Sequence, residues 1–456
     1  MTQTRNMTSG SCAGQIFLFG LPLLAGNILQ QLYNLVDTVV VGRGIGMNAL
    51  ASVGVTGSVN FLVLGFILGM AQGVTILVSQ AFGAGDFRRL RQSIAMSLIL
   101  NLAVGVVIMI VSLLGVRRLL VWMNTSPEIL EDAVLYIQLI FWGIPVSLAY
   151  NFLAGILRAV GDSRNPLTAM IIAFIVNTIL DVLFVISFHM GVAGAALATV
   201  TAQGISALYC LWCFLRLKQI RLQRQDWIWN GLILKQSFLL SLPVAIMNSI
   251  TAVGVIFLAA AINAYDAAYV AAYSAAQKVI VILEQISSTF GMACGTFVGQ
   301  NLGAGKYDRI RRGVRQTNWM VIAMNLGTGL LMAVCGRGLI QLMVGEESLQ
   351  VIDIATHCLV FLSWLLVPLG ILWVYRCSLQ SMSDTVWPMC SGILEFAART
   401  IFIMLLPKLF GFDGVLAAEV SAWISAAILL VTVYVFRMRT SASCQPAEQN
   451  LLKTAD

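Results

Sequence analysis

The stretch Gln80–Arg91 reads QAFGAGDFRRLR, and a second stretch, Gln300–Arg311, reads QNLGAGKYDRIR. The two copies stand about 220 residues apart in a chain of 456. Further landmarks recur at nearly the same offset: Leu21-Pro22 with Leu242-Pro243, Pro145 with Pro368, Asp162 with Asp384, and Gly191 with Gly411. A repeat of this length indicates that the chain is built from two similar halves.

The composition of both halves is that of a membrane protein. Hydrophobic residues make up 59% of the chain and charged residues only 10%, whereas soluble domains carry roughly 25% charged residues. A transmembrane helix needs about 20 apolar residues. Apolar stretches fall at 15–41, 50–81, 94–116, 133–157, 166–188, 192–215, 237–262, 270–300, 317–340, 353–376, 388–407 and 413–436. We therefore predict an all-α polytopic membrane protein with twelve transmembrane helices.

The cations are unevenly divided between the two sides of these helices. Twenty Lys and Arg residues, Arg376 among them, fall in the termini and the alternate breaks next to them, and five fall in the opposite breaks. This bias predicts that both termini are cytoplasmic in the plasma membrane, or inner membrane, of the cell. It also accounts for the isoelectric point near 9.0 without nucleic acid as a partner.

The repeat and the charges together predict the domain organisation. The offset spans six helices, so the halves run parallel as pseudo-symmetric six-helix bundles, which in transporters flank a central cavity. The longest basic stretch, Arg216–Lys235, reads as a cytoplasmic linker between them. The predicted lobes are residues 1–225 and 226–456.

The glycine-rich repeat invites a phosphate-binding interpretation, which its details contradict. A phosphate-binding loop needs Gly at position 300 and Ser or Thr at position 307, but the chain has Gln300 and Tyr307, and Asp86 replaces Lys306 in the first copy. A tight turn after a long helix explains the glycines better. We predict no ATP site and no cofactor, so uphill transport needs an ion gradient.

Ionisable residues inside the spans mark candidate functional sites, because each costs a few kcal/mol there. Asp37 lies in the first span, Asp181 lies in the fifth with Asn177 one turn before it, and Thr199 lies early in the sixth. Two carboxylates, an amide and a hydroxyl form an oxygen set suited to Na⁺ or to proton exchange. The alternative is that each aspartate separately joins two helices by hydrogen bonds, and the residues leave both interpretations open.

The second half carries its own charged residues inside the spans. Glu395 and Arg399 are four residues apart, which favours a structural ion pair on one helix. Lys278, Glu284 and Glu419 are candidates for lining a cavity in this half.

These features together resemble the multidrug and toxic compound extrusion (MATE) transporters over about residues 15–436. The resemblance rests on the two six-helix repeats, the Leu-Pro opening of spans 1 and 7, Asp37 followed by Val41-Gly42, and the doubled Gly-Ala-Gly turn. It implies that Asp37, Asn177, Asp181 and Thr199 form a cation site, joined by the backbone of Ala195 and by Tyr33. It also implies that the first helix bends at Pro22 when a cation binds.

One departure points to a branch of this family. The NorM-like branch has a second carboxylate site on helices 7 and 10, where this chain has Thr251 and a tenth span without an acid. The pattern is therefore closer to the DinF-like branch.

The predicted function is secondary antiport: export of organic, cationic amphipathic compounds in exchange for H⁺ or Na⁺, by a monomer in the lipid bilayer. A flippase of lipid-linked saccharides is the alternative, although such proteins tend to carry more cations in the cavity. A membrane-embedded enzyme would need a nucleophile with its base or a metal cluster. No such arrangement is visible in the sequence, so we predict no enzymatic activity.

Overall fold

The computed structural model describes residues 4–344 and 349–453. The termini predicted to be cytoplasmic include residues 1–3 and 454–456, which lie outside the described residues. Within the described ranges the chain is helical and contains no strand, which confirms the all-α fold class.

Fifteen α-helices are present in the described ranges: α1 Cys12–Gly44, α2 Met47–Ala84, α3 Phe87–Trp122, α4 Pro127–Trp142, α5 Ile144–Ala159, α6 Arg164–Asp181, α7 Gly191–Arg216, α8 Gly231–Ile262, α9 Ala267–Gly303, α10 Tyr307–Val344, α11 Leu349–Trp364, α12 Leu366–Ser381, α13 Val386–Leu405, α14 Pro407–Phe410 and α15 Phe412–Lys453. Ten segments built from them are long and apolar enough to cross a membrane. Two bent pairs, α4 with α5 and α11 with α12, bring the number to the predicted twelve when each pair counts as one span.

The two bent spans occupy equivalent places in the repeat. Their halves meet at 46° in the first pair and 42° in the second. Pro145 and Pro368 follow the breaks closely, and proline both lacks an N–H and obstructs the preceding helical turn. At the second break the Asn325 side-chain amide donates to the carbonyl of Leu366 at 3.0 Å. A polar side chain of α10 thus bonds to the backbone at the start of α12, beside the bend.

The Gly-Ala-Gly copies lie at the turns that join α2 to α3 and α9 to α10. Gly85 and Gly305 have φ angles of +73° and +68°, a left-handed conformation that favours glycine. Asp86 then caps α3 by accepting a hydrogen bond from the backbone N–H of Arg89 at 2.9 Å. The glycines therefore end long helices, as a turn requires.

The second copy also holds the segment that precedes α1. The Gln300 side chain accepts from the backbone N–H of Met7 at 2.9 Å, and the Lys306 ammonium donates to the carbonyl of Thr8 at 2.9 Å. The Arg309 guanidinium donates to the carbonyls of Gly10, Met7 and Ser9 at 2.9, 3.1 and 3.2 Å. These bonds explain why the amino-terminal segment packs with residues far away in the sequence.

The chain divides into two compact units. Unit 1 contains Leu18–Ala252 and the residues before Met7, and unit 2 contains Met7–Phe17 and the chain from Val253 onward. The division therefore falls inside α8, whereas the predicted lobes 1–225 and 226–456 follow the repeat and the linker. Since the two divisions rest on different criteria, the lobe boundaries stay a prediction.

A close helix crossing explains why the first part of α8 belongs to unit 1. A Cβ atom added at Gly69 of α2 would overlap the backbone of Ala245, and one at Gly73 would overlap Ser241. The Asn248 side chain donates to the carbonyl of Gly65 at 3.1 Å. Small residues that let two backbones approach are typical of membrane helix interfaces.

Gly73→Ala is expected to destabilise the protein by about 1–3 kcal/mol, because the new methyl group overpacks the crossing. Thermal unfolding of the purified protein in detergent would measure the loss. Gly54→Ala is the matched control on the same helix, since a Cβ atom there has no neighbour within 4 Å. Equal unfolding temperatures for the two variants would contradict a tight α2–α8 contact.

Candidate functional site

One face of α1 presents a row of polar side chains within unit 1. Gln30, Asn34 and Asp37 are separated by four and three residues, so they share a face of the helix. Tyr33 lies beside them, and only 7% of it and 9% of Asp37 are exposed. This spacing is the signal in the sequence that the face is functional.

A local change of helix type positions the second aspartate. Asn177 and Asp181 are both fully buried, and Asp181 ends α6 where the chain widens into a π-helical turn over Val182–Ser187. Such turns occur frequently at functional sites. Gly194 of α7 packs closely on this turn, because a Cβ atom there would lie 3.1 Å from the Cβ of Phe184. Ala195, the predicted backbone contributor, follows it and is fully buried.

The structure brings the residues predicted for the first half together. Asp37 and Asp181 lie close enough to interact electrostatically, and Asn177 lies beside Asp181. Tyr33 interacts with both carboxylates, and its hydroxyl lies beside Thr199. Three helices, α1, α6 and α7, therefore contribute to one cluster, which we call the carboxylate cluster: Tyr33, Asp37, Asn177, Asp181 and Thr199.

Several polar atoms of the carboxylate cluster lack hydrogen bonds among the described residues. They are both carboxyl oxygens of Asp181, both amide atoms of Asn177, Oδ1 of Asp37 and the Tyr33 hydroxyl. Because buried polar atoms are nearly always hydrogen-bonded, this concentration makes the carboxylate cluster the candidate ligand site of unit 1. The oxygens suit a hard cation such as Na⁺, which prefers oxygen ligands, or a proton. The described residues contain no group of three or more His, Cys, Asp or Glu arranged for a metal.

A cavity of about 490 Å³ in unit 1 reaches Asp37. Asp181 and Asn177 do not line this cavity, although Asp181 interacts electrostatically with Asp37. The polar lining consists of Asp37, Ser147, Thr199, Ser206, the tyrosines Tyr33, Tyr136 and Tyr150, and the amides Gln30, Gln31, Asn34, Asn60, Asn151 and Gln203. Among the residues that the structure describes, the lining has no Lys or Arg, and its one charged side chain is the Asp37 carboxylate.

Tyr136 of α4 lies near the carboxylate cluster, and no pattern in the sequence indicates it. It interacts electrostatically with Asp37 and Asp181 and is 93% buried, with a relative exposure of 7%. It stands between Leu135 and Ile137 in an apolar stretch, where an aromatic residue is expected to pack in the core and does not indicate a functional site.

In unit 2 the ion pair predicted between Glu395 and Arg399 has a third member. The Glu395 carboxylate accepts from Arg399 at 3.1 Å and from Arg376 at 2.8 Å. All three side chains are at most 5% exposed. The prediction that Arg376 lies in a polar break is therefore wrong, because α12 continues to Ser381 and Arg376 is buried within it.

The other candidates in unit 2 separate into two groups. Glu284 interacts electrostatically with Glu419 and Arg399, and the Tyr273 hydroxyl donates to Glu419 at 3.5 Å. Lys278 is instead exposed and is not brought into this group.

Comparison with known proteins identifies the family. The MatE family's sequence model matches residues 22–183 and 243–405, one stretch in each half of the repeat. The chain is 29% identical to the probable multidrug resistance protein YpnP of Bacillus subtilis over 75% of its own length and 77% of that protein's length. It is 31% identical to the DNA damage-inducible protein F of Escherichia coli, but over only 44% of either chain. Because that match is partial, the DinF-like branch stays a prediction.

A solved structure supports the same fold. The crystal structure of MATE in complex with MaL6 superposes with a TM-score of 0.89 at 23% identity, covering 96% of this chain and 99% of that one. With its family's model matched across both halves, the chain belongs to the MatE family and is a membrane transporter rather than an enzyme.

Proposed function

We propose that this transporter is a secondary antiporter, which exports organic, cationic amphipathic compounds in exchange for H⁺ or Na⁺. The observation that carries the proposal is the carboxylate cluster, whose unpartnered buried oxygens adjoin a cavity in unit 1. The backbone of Ala195 completes the proposed coupling site.

The charges of the carboxylate cluster support competition between the exported organic cation and the coupling ion. Neither Asp37 nor Asp181 forms an ion pair among the described residues. Two uncompensated carboxylates in a low-dielectric site favour binding of positive charge. An organic cation in the cavity would contact Asp37, while a small ion would also reach the oxygens of Asp181 and Asn177. Arrival of the small ion then weakens the attraction for the organic cation, which couples import of one to release of the other.

The lining of the cavity favours this cargo over a lipid-linked saccharide. A lipid diphosphate needs cations to balance its negative charge, whereas the described lining holds one carboxylate and no Lys or Arg. Amides and tyrosines there can donate and accept hydrogen bonds around an amphipathic cation.

Pro22 is the proposed bending point of α1. The helix is continuous over Cys12–Gly44 with Pro22 inside it. Because proline has no N–H for the carbonyl of Leu18, the helix lacks one hydrogen bond there and bends at less cost. Asp37 lies on the same helix, so cation binding at its carboxylate can be linked to the bend.

We place the protein in the plasma membrane as a working monomer with both termini in the cytoplasm. The lobes are residues 1–225 and 226–456, and the pattern of acids is that of the DinF-like branch.

Export from proteoliposomes under separately imposed gradients tests the proposal. We expect a fluorescent organic cation to move uphill under ΔpH alone or ΔNa⁺ alone, and to stop when an ionophore collapses that gradient. The gradient that works identifies the coupling ion. Liposomes without protein give the background rate, and movement at the same rate with and without either gradient would overturn antiport.

A further inference from the structure

The linker between α7 and α8 exposes a row of large apolar side chains. Trp227, Ile228 and Trp229 are 46%, 65% and 66% exposed, and Leu232 at the start of α8 is 67% exposed. Large contiguous apolar patches on a protein surface mark interaction sites. The transport proposal uses none of these residues.

Buried polar contacts hold this linker in place. Asp226 is 1% exposed and pairs with Arg91 of α3 at 3.0 Å. The same carboxylate accepts from the backbone N–H of Gln223 at 2.7 Å. Asn230 then caps α8 by accepting from the backbone N–H of Ile233 at 3.2 Å. The two indoles therefore project from an anchored turn.

Five cations lie in the linker itself or within three residues of Arg91, the residue of α3 that anchors it. Arg88, Arg89, Lys218, Arg221 and Arg224 are all exposed. None of them forms an ion pair with another described residue. The only acidic residue of the linker, Asp226, is buried and already paired. The surface therefore combines uncompensated positive charge with exposed indoles.

We propose that this surface docks on anionic phospholipid headgroups of the leaflet next to it. Tryptophan is enriched at the level of the headgroups, and clustered Lys and Arg beside a membrane helix bind anionic lipid. Because the linker connects two helices that are long and apolar enough to span the membrane, α7 and α8, it lies at the membrane surface. A lipid with a negative headgroup satisfies the charges and the apolar row together. This inference does not depend on the coupling ion or the exported compound.

Quenching of tryptophan fluorescence by brominated lipids tests the proposal. The protein is reconstituted in phosphatidylcholine vesicles that contain either brominated phosphatidylglycerol or brominated phosphatidylcholine at equal mole fraction. The chain has 10 tryptophans, so the difference between the parent and the variant W227F/W229F isolates the linker signal. Both leaflets have the same composition, which makes the result independent of orientation.

We expect brominated phosphatidylglycerol to quench the linker signal at a lower mole fraction than brominated phosphatidylcholine. R221Q/R224Q should reduce this preference by roughly fivefold per cation removed. The matched variant R312Q/R315Q, which removes two exposed cations of α10 in unit 2, should keep it. Raising the salt concentration to about 1 M, which shortens the screening length to about 3 Å, should weaken the preference in the unmodified protein.

Three results would overturn the proposal. Equal quenching by the two brominated lipids would show that the linker does not select negative headgroups, and quenching by neither would place it away from the bilayer. A preference that high salt leaves unchanged in the unmodified protein would exclude an electrostatic origin, even if the arginine variants fail to fold.

Discussion

Asp37→Asn is expected to abolish gradient-driven export, with a loss of about 100-fold, near the upper end of coupling between two sites. Asparagine keeps the shape of aspartate but carries no negative charge, so the carboxylate cluster loses half of its attraction for a cation. Because Oδ1 of Asp37 makes no hydrogen bond among the described residues, the change removes little packing or bonding. The folded protein should therefore persist while its export stops responding to the gradient.

Export from proteoliposomes under the coupling gradient measures this effect, and thermal unfolding checks the fold. Asp132→Asn is the matched control, because Asp132 is an exposed carboxylate near the start of α4. It should export at the parental rate. If Asp37→Asn exported at that rate too, the charge of Asp37 would have no part in coupling.

The same variant separates the two interpretations that the sequence left open for the aspartates. A carboxylate that joins two helices needs hydrogen-bond donors, and neither oxygen of Asp181 has one among the described residues. That observation supports an ion-binding role. Loss of export with an unchanged unfolding temperature would agree with it, whereas a purely structural aspartate would lower the unfolding temperature.

Much of the fold was predictable because a membrane imposes a simple rule on sequence. Each span needs a long apolar stretch. Because the two halves repeat, a feature found in one half predicts the same feature in the other, as with the paired prolines Pro145 and Pro368. The helix ends were not predictable in the same way. The stretch predicted at 94–116 is part of α3, Phe87–Trp122, because backbone hydrogen bonds continue the helix through polar residues such as Arg91.

The candidate site was predictable only where its chemistry is rare in a membrane. Asp37 and Asp181 are conspicuous because acids are costly inside an apolar span. Tyr136 is an ordinary residue in such a stretch, and its place beside both aspartates follows only from the packing of α4. The sequence predicts that Arg376 lies in a polar break because nothing near it in the sequence reveals a partner. Its partner, Glu395, lies 19 residues away on a different helix.

Glu395→Gln is expected to destabilise the protein by about 3–5 kcal/mol, the cost of removing one partner from a buried ion pair. The Glu395 carboxylate is the ion-pair partner of both Arg376 and Arg399 in the described structure. Nε of each arginine, and Nη1 of Arg399, already lack hydrogen bonds to the described part of the chain. The variant therefore leaves both buried guanidinium groups without an ion-pair partner among the described residues, although Glu284 and Glu419 still interact electrostatically with Arg399. Unfolding of the purified protein in detergent would measure the change in stability.

Glu131→Gln provides the matched control at the surface. Glu131 pairs with Arg117 at 2.5 Å, but the two side chains are 69% and 58% exposed. Exposed pairs contribute about 0–1 kcal/mol, so this variant should unfold almost as the parent does. If both variants lost similar amounts of stability, burial would not be the reason that Glu395 matters for stability.

A third variant distinguishes unpaired charge from altered packing as the cause. R376M/E395M replaces the closest ion pair of the triad with apolar side chains and keeps Arg399, with which Glu284 and Glu419 interact electrostatically. Replacement of buried ion pairs or triads by apolar residues of similar volume is often neutral or stabilising. The double variant should therefore recover most of the stability that Glu395→Gln loses. If it were instead less stable than Glu395→Gln, the shape of these side chains rather than their charge balance would hold this part of unit 2 together.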